Sequence, residues 1–168
     1  MAFTRPDLLK KLFHPKVIDY NKKGLHVIRF FKGGKNKITY IDDRFPCDSQ
    51  GGSVFCEVFT ENNQTELWPL MLEKAFSKIH HSYQAIDGGR PEQALVDLTN
   101  GTSQVISFSS KEFKKMKNDG SFWQTIHKSW DEGHLLAASS NGTSDRVQSD
   151  LGIVQGHAYS ILDCQEVS

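Results

Sequence analysis

The sequence lacks long apolar runs and contains few cysteines, and each absence excludes a class of protein. No run approaches the ~18–20 apolar residues of a membrane-spanning helix, and the amino-terminal stretch MAFTRPDLLKKLF has no uninterrupted apolar region of the kind a signal peptide carries. The three cysteines are an odd number in a chain without an export signal, which favours reduced thiols over a disulfide framework. We therefore predict a cytoplasmic (intracellular) protein with no membrane span.

The sequence also lacks an excess of charge of either sign. Its 20 basic and 20 acidic side chains cancel, so the composition favours neither a nucleic acid nor an anionic membrane as the main partner. The nearest approach to a basic stripe is KGGKNK at 32–37, whose Gly-Gly centre between two strand-like runs is typical of a hairpin turn. We predict no nucleic-acid partner.

Motifs for transition metals and nucleotides are missing as well. The chain has no Cys-x-x-Cys or His-x-x-x-His spacing, and its Gly-Gly pairs lack a phosphate-loop context. His80 and His81 are adjacent and point in different directions on a helix, while His127 and His134 are too far apart for one metal. A metal-dependent hydrolase remains an alternative only if metal is found bound with His157 as a ligand.

The periodicity of the apolar residues predicts an α+β fold. Helical spacing is found at 6–13, 66–83, 91–98 and from Ser109 to about Glu132 with a break at Asp119-Gly120. Strand-like alternation is found at 25–31 and 36–43, which should pair as a hairpin, and at 103–108, 134–140 and 156–163. Helices come first and strands cluster late, without a repeated βαβ unit, which gives the α+β class.

Two details of the helices are specific enough to be checked. In the segment 66–83, apolar residues at steps of three and four predict one buried stripe, formed by Trp68, Leu72, Ala75, Phe76, Ile79 and Tyr83. Ser109 and Glu112 have the spacing of a capping box that opens the following helix.

One histidine, His157, directly follows a glycine in the strand-like run GIVQGHAYSILDC at 152–164. It is either a packed core residue or half of a Cys-His pair, in which the imidazole lowers the thiol pKa and returns a proton to the leaving amine. Cys164 would lie ~20 Å away on the opposite face of the same strand. Cys47 lies in a proline-containing loop and Cys56 in a short apolar run, and neither begins a helix that could help form a thiolate.

Four segments, in order along the chain, resemble the protease core of the calpain family, papain-like cysteine endopeptidases regulated by calcium. They are ITYIDDRFPC (38–47), ELWPLMLEKAFSKIHHSYQAIDGG (66–89), EQALVDLTNG (92–101) and GIVQGHAYSIL (152–162). The resemblance covers the chain from about Arg5 to its end. It implies a papain-like cysteine proteinase fold (calpain catalytic core), truncated at both ends. Residues 1–100 would form the rear part of the helical, cysteine-bearing lobe, and 101–168 the front part of the β-rich, histidine-bearing lobe.

The resemblance also implies roles for four residues. His157 matches the catalytic histidine, which would act as general base and acid. Gly89 and Gly156 match glycines whose backbone groups hold an extended peptide substrate, so a side chain at either position would obstruct binding. Glu66 matches an acidic ligand of one regulatory calcium ion, a hard cation that requires oxygen ligands.

The chain departs from the family pattern in several places. The family's nucleophile, in Gln-x-x-x-Asp-Cys-Trp, and its asparagine, in Asn-Pro-Trp-Gly, are not among the 168 residues, and we expect these segments upstream and downstream. Asn100 and His81 each stand where the family has a glycine. The resemblance implies a calcium-dependent cysteine endopeptidase that cleaves intracellular proteins or peptides through an acyl-enzyme and is inactive as this isolated chain. A catalytically dead homologue acting as a protein-binding adaptor, and a half that meets its cysteine on another chain, are the alternatives.

Overall fold

A computed structural model describes residues 1–14, 23–58, 60–61, 64–142 and 144–166, and it confirms the α+β class. The helices are α1 Pro6–Leu12, α2 Trp68–Ile79, α3 Pro91–Thr99, α4 Lys111–Asn118 and α5 Ser121–Asp131. The strands are β1 Leu25–Lys32, β2 Lys35–Asp42, β3 Thr60–Glu61, β4 Gln64–Thr65, β5 Leu136–Ser139 and β6 Ala158–Ile161. They form three antiparallel two-stranded sheets, β1 with β2, β3 with β4 and β5 with β6.

The chain divides into two compact units. We call the first the hairpin unit, which contains Lys10–Gly89 and Asp97–Asn100, and the second the histidine unit, which contains Met1–Leu9, Arg90–Val96 and Gly101–Ser168. The assignment of 1–100 and 101–168 to the two lobes of a papain-like protease stays a prediction. Within the described ranges, no helix is long and apolar enough to cross a membrane.

The predicted hairpin is confirmed and carries most of the core of the hairpin unit. Gly33 and Gly34 have φ angles of 59° and 72°, as a type I′ turn requires, and Lys32 pairs with Lys35 across it. One face of the hairpin is buried and carries Ile28, Phe30 and Ile41. On the other face, Ile38 and Tyr40 are 43% and 56% exposed. The Phe30 ring meets Phe76 of α2 edge to face at 5.7 Å, so the hairpin packs on this helix.

Helix α2 is shorter than predicted, and its stripe is only partly buried. The helix ends at Ile79 because His80 closes it and His81 adopts a left-handed backbone with φ of 81°, a conformation that glycine adopts at lower cost. Of the six predicted stripe residues only Ala75 is fully buried; the other five are half-buried. Tyr83 lies beyond the helix and stacks on Phe55 at 4.5 Å.

His81 and Asn100, the two residues that stand where the resembling family has a glycine, both have positive φ angles. This backbone conformation is less favourable for a residue with a Cβ than for glycine. Asn100 follows α3 with φ of 60°, and asparagine tolerates this region because its short polar side chain can hydrogen-bond locally. His81 is exposed and adopts the same region, in which histidine, like asparagine, is found more often than most residues with a Cβ. Both residues end a helix where a glycine would avoid contact between Cβ and the backbone.

Two sequence-based predictions in the histidine unit are wrong. The segment 103–108 forms no strand, and Val105 and Phe108 remain 60% and 61% exposed. A segment with β propensity forms a strand only where another strand pairs with it. None of the described residues pairs with 103–108, and the local sequence pattern does not reveal this. The cap of α4 is Ser110, not Ser109: the Phe113 N–H donates to the Ser110 hydroxyl at 3.0 Å, while the Ser109 hydroxyl lies 2.9 Å from that of Ser107.

A buried carboxylate ties three elements of the hairpin unit together. Asp97 of α3 is 7% exposed and accepts a hydrogen bond from the Lys32 ammonium at the end of β1. His80, at the end of α2, places Nε2 3.5 Å from the same carboxylate oxygen. Residues far apart in the sequence therefore share one buried charge.

Replacing Lys32 with methionine should lower the free energy of unfolding by about 2–3 kcal/mol, because Asp97 would keep a buried charge without its main partner. The value lies below the roughly 3–5 kcal/mol lost when a fully buried pair is broken, because half of the Lys32 side chain is exposed and solvent screens the pair. Lys35→Met, at an exposed position beside the same turn, is the matched control. It should change the free energy of unfolding by less than about 0.5 kcal/mol. Urea denaturation of both variants measures the difference, and equal losses would contradict the role of Asp97.

Candidate active site

His157 lies directly before β6, at the open end of the β5–β6 sheet. Ser139 pairs with Ala158, and Leu136 pairs with Ile161, as the two predicted closing strands require. Continuing this register by one residue places Ser140 opposite His157. The antiparallel sheet thus determines which residue faces the histidine.

Ser140 holds the backbone around His157 with its main chain and its hydroxyl group. Its N–H donates to the His157 carbonyl at 2.9 Å, and the His157 N–H donates to the Ser140 hydroxyl at 3.0 Å. The same hydroxyl donates to the Val154 carbonyl at 2.7 Å. One side chain therefore fixes the chain on both sides of the turn before the histidine. The role of Ser140 was not predicted from the sequence, although pairing the two predicted closing strands in register would place it opposite His157.

The imidazole of His157 is exposed, so the residue is not a packed core histidine. Its ring lies edge-on to the ring of Tyr159, with centroids 5.0 Å apart. The Tyr159 hydroxyl in turn accepts a hydrogen bond from the Val154 N–H at 2.9 Å. Within the part of the chain that the structure describes, nothing hydrogen-bonds the imidazole itself. Its nitrogens are available for an external partner, and its orientation is supported by the tyrosine.

Gly156 is required by the packing of its loop. Its φ angle is 57°, and a Cβ at this position would lie 3.0 Å from the Gly142 carbonyl oxygen and 3.2 Å from the Ser144 nitrogen. The Gly156 N–H donates to the Asn141 carbonyl at 3.2 Å. The loops before β6 and after β5 therefore touch backbone to backbone, which only glycine permits. This contact accounts for Gly156 whether or not it also binds substrate.

Gly89 and Glu66 lie in the hairpin unit, whereas Gly156 and His157 are neighbours in the histidine unit. A Cβ added at Gly89 would meet no atom within 4 Å, so its surroundings leave room for another molecule. Glu66 is exposed, and its carboxylate accepts a hydrogen bond from the Trp68 indole N–H at 3.2 Å. Among the described residues, no group of three or more His, Cys, Asp or Glu side chains is placed to hold a metal ion.

The three cysteines are free thiols, and the structure shows no activation of two of them. Burial raises the pKa of the Cys56 thiol, and the charge of Glu73, which accepts a hydrogen bond from the Cys56 N–H, raises it further. Burial and then the charge of Asp163 raise the pKa of Cys164. Cys47 is exposed in its loop, where its Sγ donates to the Phe45 carbonyl at 3.3 Å. A catalytic thiol needs the opposite shift.

The raised pKa values predict slow alkylation of Cys56 and Cys164 near neutral pH. Because the thiolate is the reacting species, iodoacetamide should modify both more slowly than it modifies free cysteine, and the rate should rise as the pH is increased toward and above 9. Mass spectrometry of digested samples gives the rate at each site. The same reaction in urea, which removes the burial, is the control and should be faster. Faster modification than free cysteine at neutral pH would contradict the shift.

Comparison with known proteins shows which family this chain resembles. A profile described as calpain family cysteine protease matches residues 2–168. The chain is 42% identical over 149 residues to calpain-type cysteine protease ADL1 of Oryza sativa subsp. japonica, an alignment that covers 89% of this chain and 7% of that protein. It is 29% identical over 166 residues to Calpain-5 of Mus musculus, covering 96% of this chain and 25% of that protein. The chain thus spans a quarter or less of the length of these relatives.

Proposed function

The chain belongs to the calpain family of cysteine proteases, and from this premise we propose that it forms the histidine-bearing part of a calpain-like endopeptidase acting on intracellular proteins. The observation that carries the proposal is the exposed His157 imidazole at the end of a sheet, with its backbone held by Ser140. The three free thiols support a reducing compartment. The earlier resemblance to this family is confirmed.

The proposed reaction is acyl transfer through a thioester. The imidazole of His157 accepts the proton of a cysteine thiol, and the thiolate attacks the carbonyl carbon of the scissile peptide bond. His157 then gives the proton to the departing amine, which leaves a thioester between the cysteine and the acyl part of the substrate. In the second half, His157 takes a proton from water as the water oxygen attacks the thioester carbonyl carbon. The carbon–sulfur bond then breaks, the acyl part leaves as a carboxylic acid, and the proton returns to the cysteine sulfur.

We assign the nucleophile to a cysteine outside these 168 residues. Cys56 and Cys164 have raised thiol pKa values, and Cys164 lies beyond the end of β6 rather than beside His157. In the proposal, the isolated chain is therefore inactive. The backbone of Gly156, beside His157, and of Gly89, whose surroundings are open, would hold the extended substrate.

Calpain proteases are generally regulated by calcium, and we propose Glu66 as one ligand. A calcium ion takes six to eight oxygen ligands, and the described residues alone do not fit this requirement, since Glu66 belongs to no acidic cluster among them. The remaining ligands would come from elsewhere in the protein. No step of the reaction depends on this assignment.

A thiol-directed peptide probe tests the proposal. The longest reading frame that includes this segment, and the 168-residue chain alone, are each incubated with a peptidyl epoxide that alkylates activated cysteines. We expect one labelled cysteine in the longer protein, in a segment outside residues 1–168, and no labelling of the isolated chain. Labelling of Cys47, Cys56 or Cys164 would overturn the assignment. Absence of labelling in both would favour the adaptor, since an adaptor needs no activated thiolate, and a labelled cysteine on a separate chain would favour the complementing half.

A further inference from the structure

A half-exposed tyrosine lies beside the histidine of the candidate active site. Tyr159 follows His157 by two residues, so the two side chains point to the same face of the strand. Their rings are nearly perpendicular, at 76°, with centroids 5.0 Å apart. On the neighbouring strand, Ala138 pairs with Tyr159, and its methyl group offers the tyrosine ring little contact area. The ring therefore packs along its own strand, on the imidazole, rather than across the sheet.

The hydroxyl end of Tyr159 is fixed to the loop before the strand. The Val154 N–H donates to this hydroxyl at 2.9 Å, and the hydroxyl lies 3.4 Å from the Val154 carbonyl oxygen. The Ser140 hydroxyl donates to the same carbonyl at 2.7 Å and accepts a hydrogen bond from the His157 N–H at 3.0 Å. The tyrosine is thus held at both ends, by its backbone in β6 and by its hydroxyl on Val154.

Burial does not explain an aromatic residue at this position. Tyr159 is 37% exposed, and three of the four residues of β6 are exposed. The contact instead restricts the imidazole of His157, which makes no hydrogen bond within the described part of the chain. An aromatic pair with this geometry favours the paired arrangement over others by about two- to tenfold.

We propose that Tyr159 is a positioning residue for His157, whose imidazole it holds in one rotamer. The inference rests on the proposed function, because the imidazole needs a fixed direction only if it exchanges protons with a thiol and an amine. Those transfers require an imidazole nitrogen within hydrogen-bond reach of each group. A second rotamer moves the nitrogens out of reach and so lowers the fraction of molecules that can react. Tyr159 itself contacts neither the substrate nor the thiol.

Nuclear magnetic resonance on the 168-residue chain tests this contact without any catalysis. Three-bond couplings to the His157 β-protons give the populations of its χ1 rotamers, and we expect one dominant rotamer in the parent chain. Tyr159→Leu removes the ring and should lower the ratio of the main rotamer to the others by about two- to tenfold. Tyr159→Phe keeps the ring and should change this ratio by less than about twofold. Tyr40→Leu, at an exposed tyrosine of the hairpin unit, is the matched control and should leave the couplings unchanged.

The phenylalanine variant separates positioning of the imidazole from anchoring of the loop. Both Tyr159 variants lose the hydroxyl, so both should speed hydrogen exchange of the Val154 N–H, whereas only Tyr159→Leu should redistribute the His157 rotamers. Equal rotamer populations in all chains, or equal losses in the two Tyr159 variants, would overturn the proposal. Circular dichroism checks the fold of each chain, and Tyr159→Val, which suits a strand, is used if Tyr159→Leu unfolds.

Kinetics connect the contact to the reaction. In the proposed endopeptidase, Tyr159→Leu should lower kcat by about two- to tenfold. It should leave KM within about twofold, because the tyrosine contacts no substrate. A change confined to KM would contradict the positioning role. A protein that hydrolyses no peptide would count against the proposed function, and the rotamer populations would still decide whether Tyr159 holds the imidazole.

Discussion

In the proposed endopeptidase, replacement of His157 by alanine is expected to lower kcat/KM for peptide hydrolysis by at least about 10³–10⁴-fold. The imidazole performs both proton transfers of the proposed reaction and keeps the thiol ionised, so its loss removes general acid–base catalysis and nucleophile activation together. The free energy of unfolding should change little, because the exposed ring supports no packed core. Steady-state kinetics on a peptide substrate measure kcat/KM, and urea denaturation measures the stability.

His134→Ala is the matched control for His157→Ala. His134 lies in the same unit, its side chain is 60% exposed, and its imidazole is 3.8 Å from the Glu132 carboxylate. It has no part in the proposed reaction, so kcat/KM should stay within about twofold of the parent protein. A similar loss in both variants would show that His157 acts only through stability, and an active His157→Ala protein would refute the proposed reaction.

Replacement of Gly156 by alanine is expected to lower the free energy of unfolding by about 2–4 kcal/mol. Part of the cost is the left-handed backbone, which is unfavourable for any residue with a Cβ by roughly 1–2 kcal/mol. The rest comes from the new methyl group, which would lie 3.0 Å from the Gly142 carbonyl oxygen and force the two loops apart. Urea denaturation, with folding checked by circular dichroism, measures the loss.

Alanine substitutions at two other glycines separate the backbone cost at Gly156 from the cost of the steric contact. Gly152 has φ of 75° but open space around its Cβ position, so Gly152→Ala should show the backbone cost alone, about 1 kcal/mol. Gly89 has open space and no positive φ, so Gly89→Ala should leave stability nearly unchanged. Equal losses at 152 and 156 would contradict the contact with Gly142. In the proposed enzyme, Gly89→Ala should nevertheless raise KM, because the methyl group would meet the substrate.

The parts of the structure that sequence analysis predicted correctly depend on neighbouring residues. The hairpin follows from alternating apolar residues around Gly33 and Gly34, whose left-handed backbones suit the turn. Helix α3 begins at Pro91, as predicted, because proline suits the first turn of a helix. The break between α4 and α5 falls at Gly120, whose φ is 75°. In each case the controlling residues are adjacent in the chain.

The incorrect predictions concern segments whose structure depends on a distant pairing partner or on the backbone conformation of one residue. The segment 103–108 has strand propensity but finds no partner among the described residues. The predicted stripe on α2 extends one turn beyond the observed helix, because His81 leaves the helical backbone with φ of 81°, and apolar periodicity does not reveal such a change. The cap of α4 moved by one residue because Ser110, with its extended backbone, directs its hydroxyl to the Phe113 N–H.

By itself, the sequence determined the α+β class, the hairpin, the family and the position of His157, because local periodicity, turn glycines and ordered motifs are readable along the chain. Only the tertiary structure revealed that Ser140 holds the histidine backbone, that Gly156 is required by Gly142, and that Asp97 joins Lys32 to His80. It also showed that Phe108 remains 61% exposed although its ring stacks on Phe113. These features depend on hydrogen bonds, close approach and burial between segments, whose geometry exists only once the chain has folded.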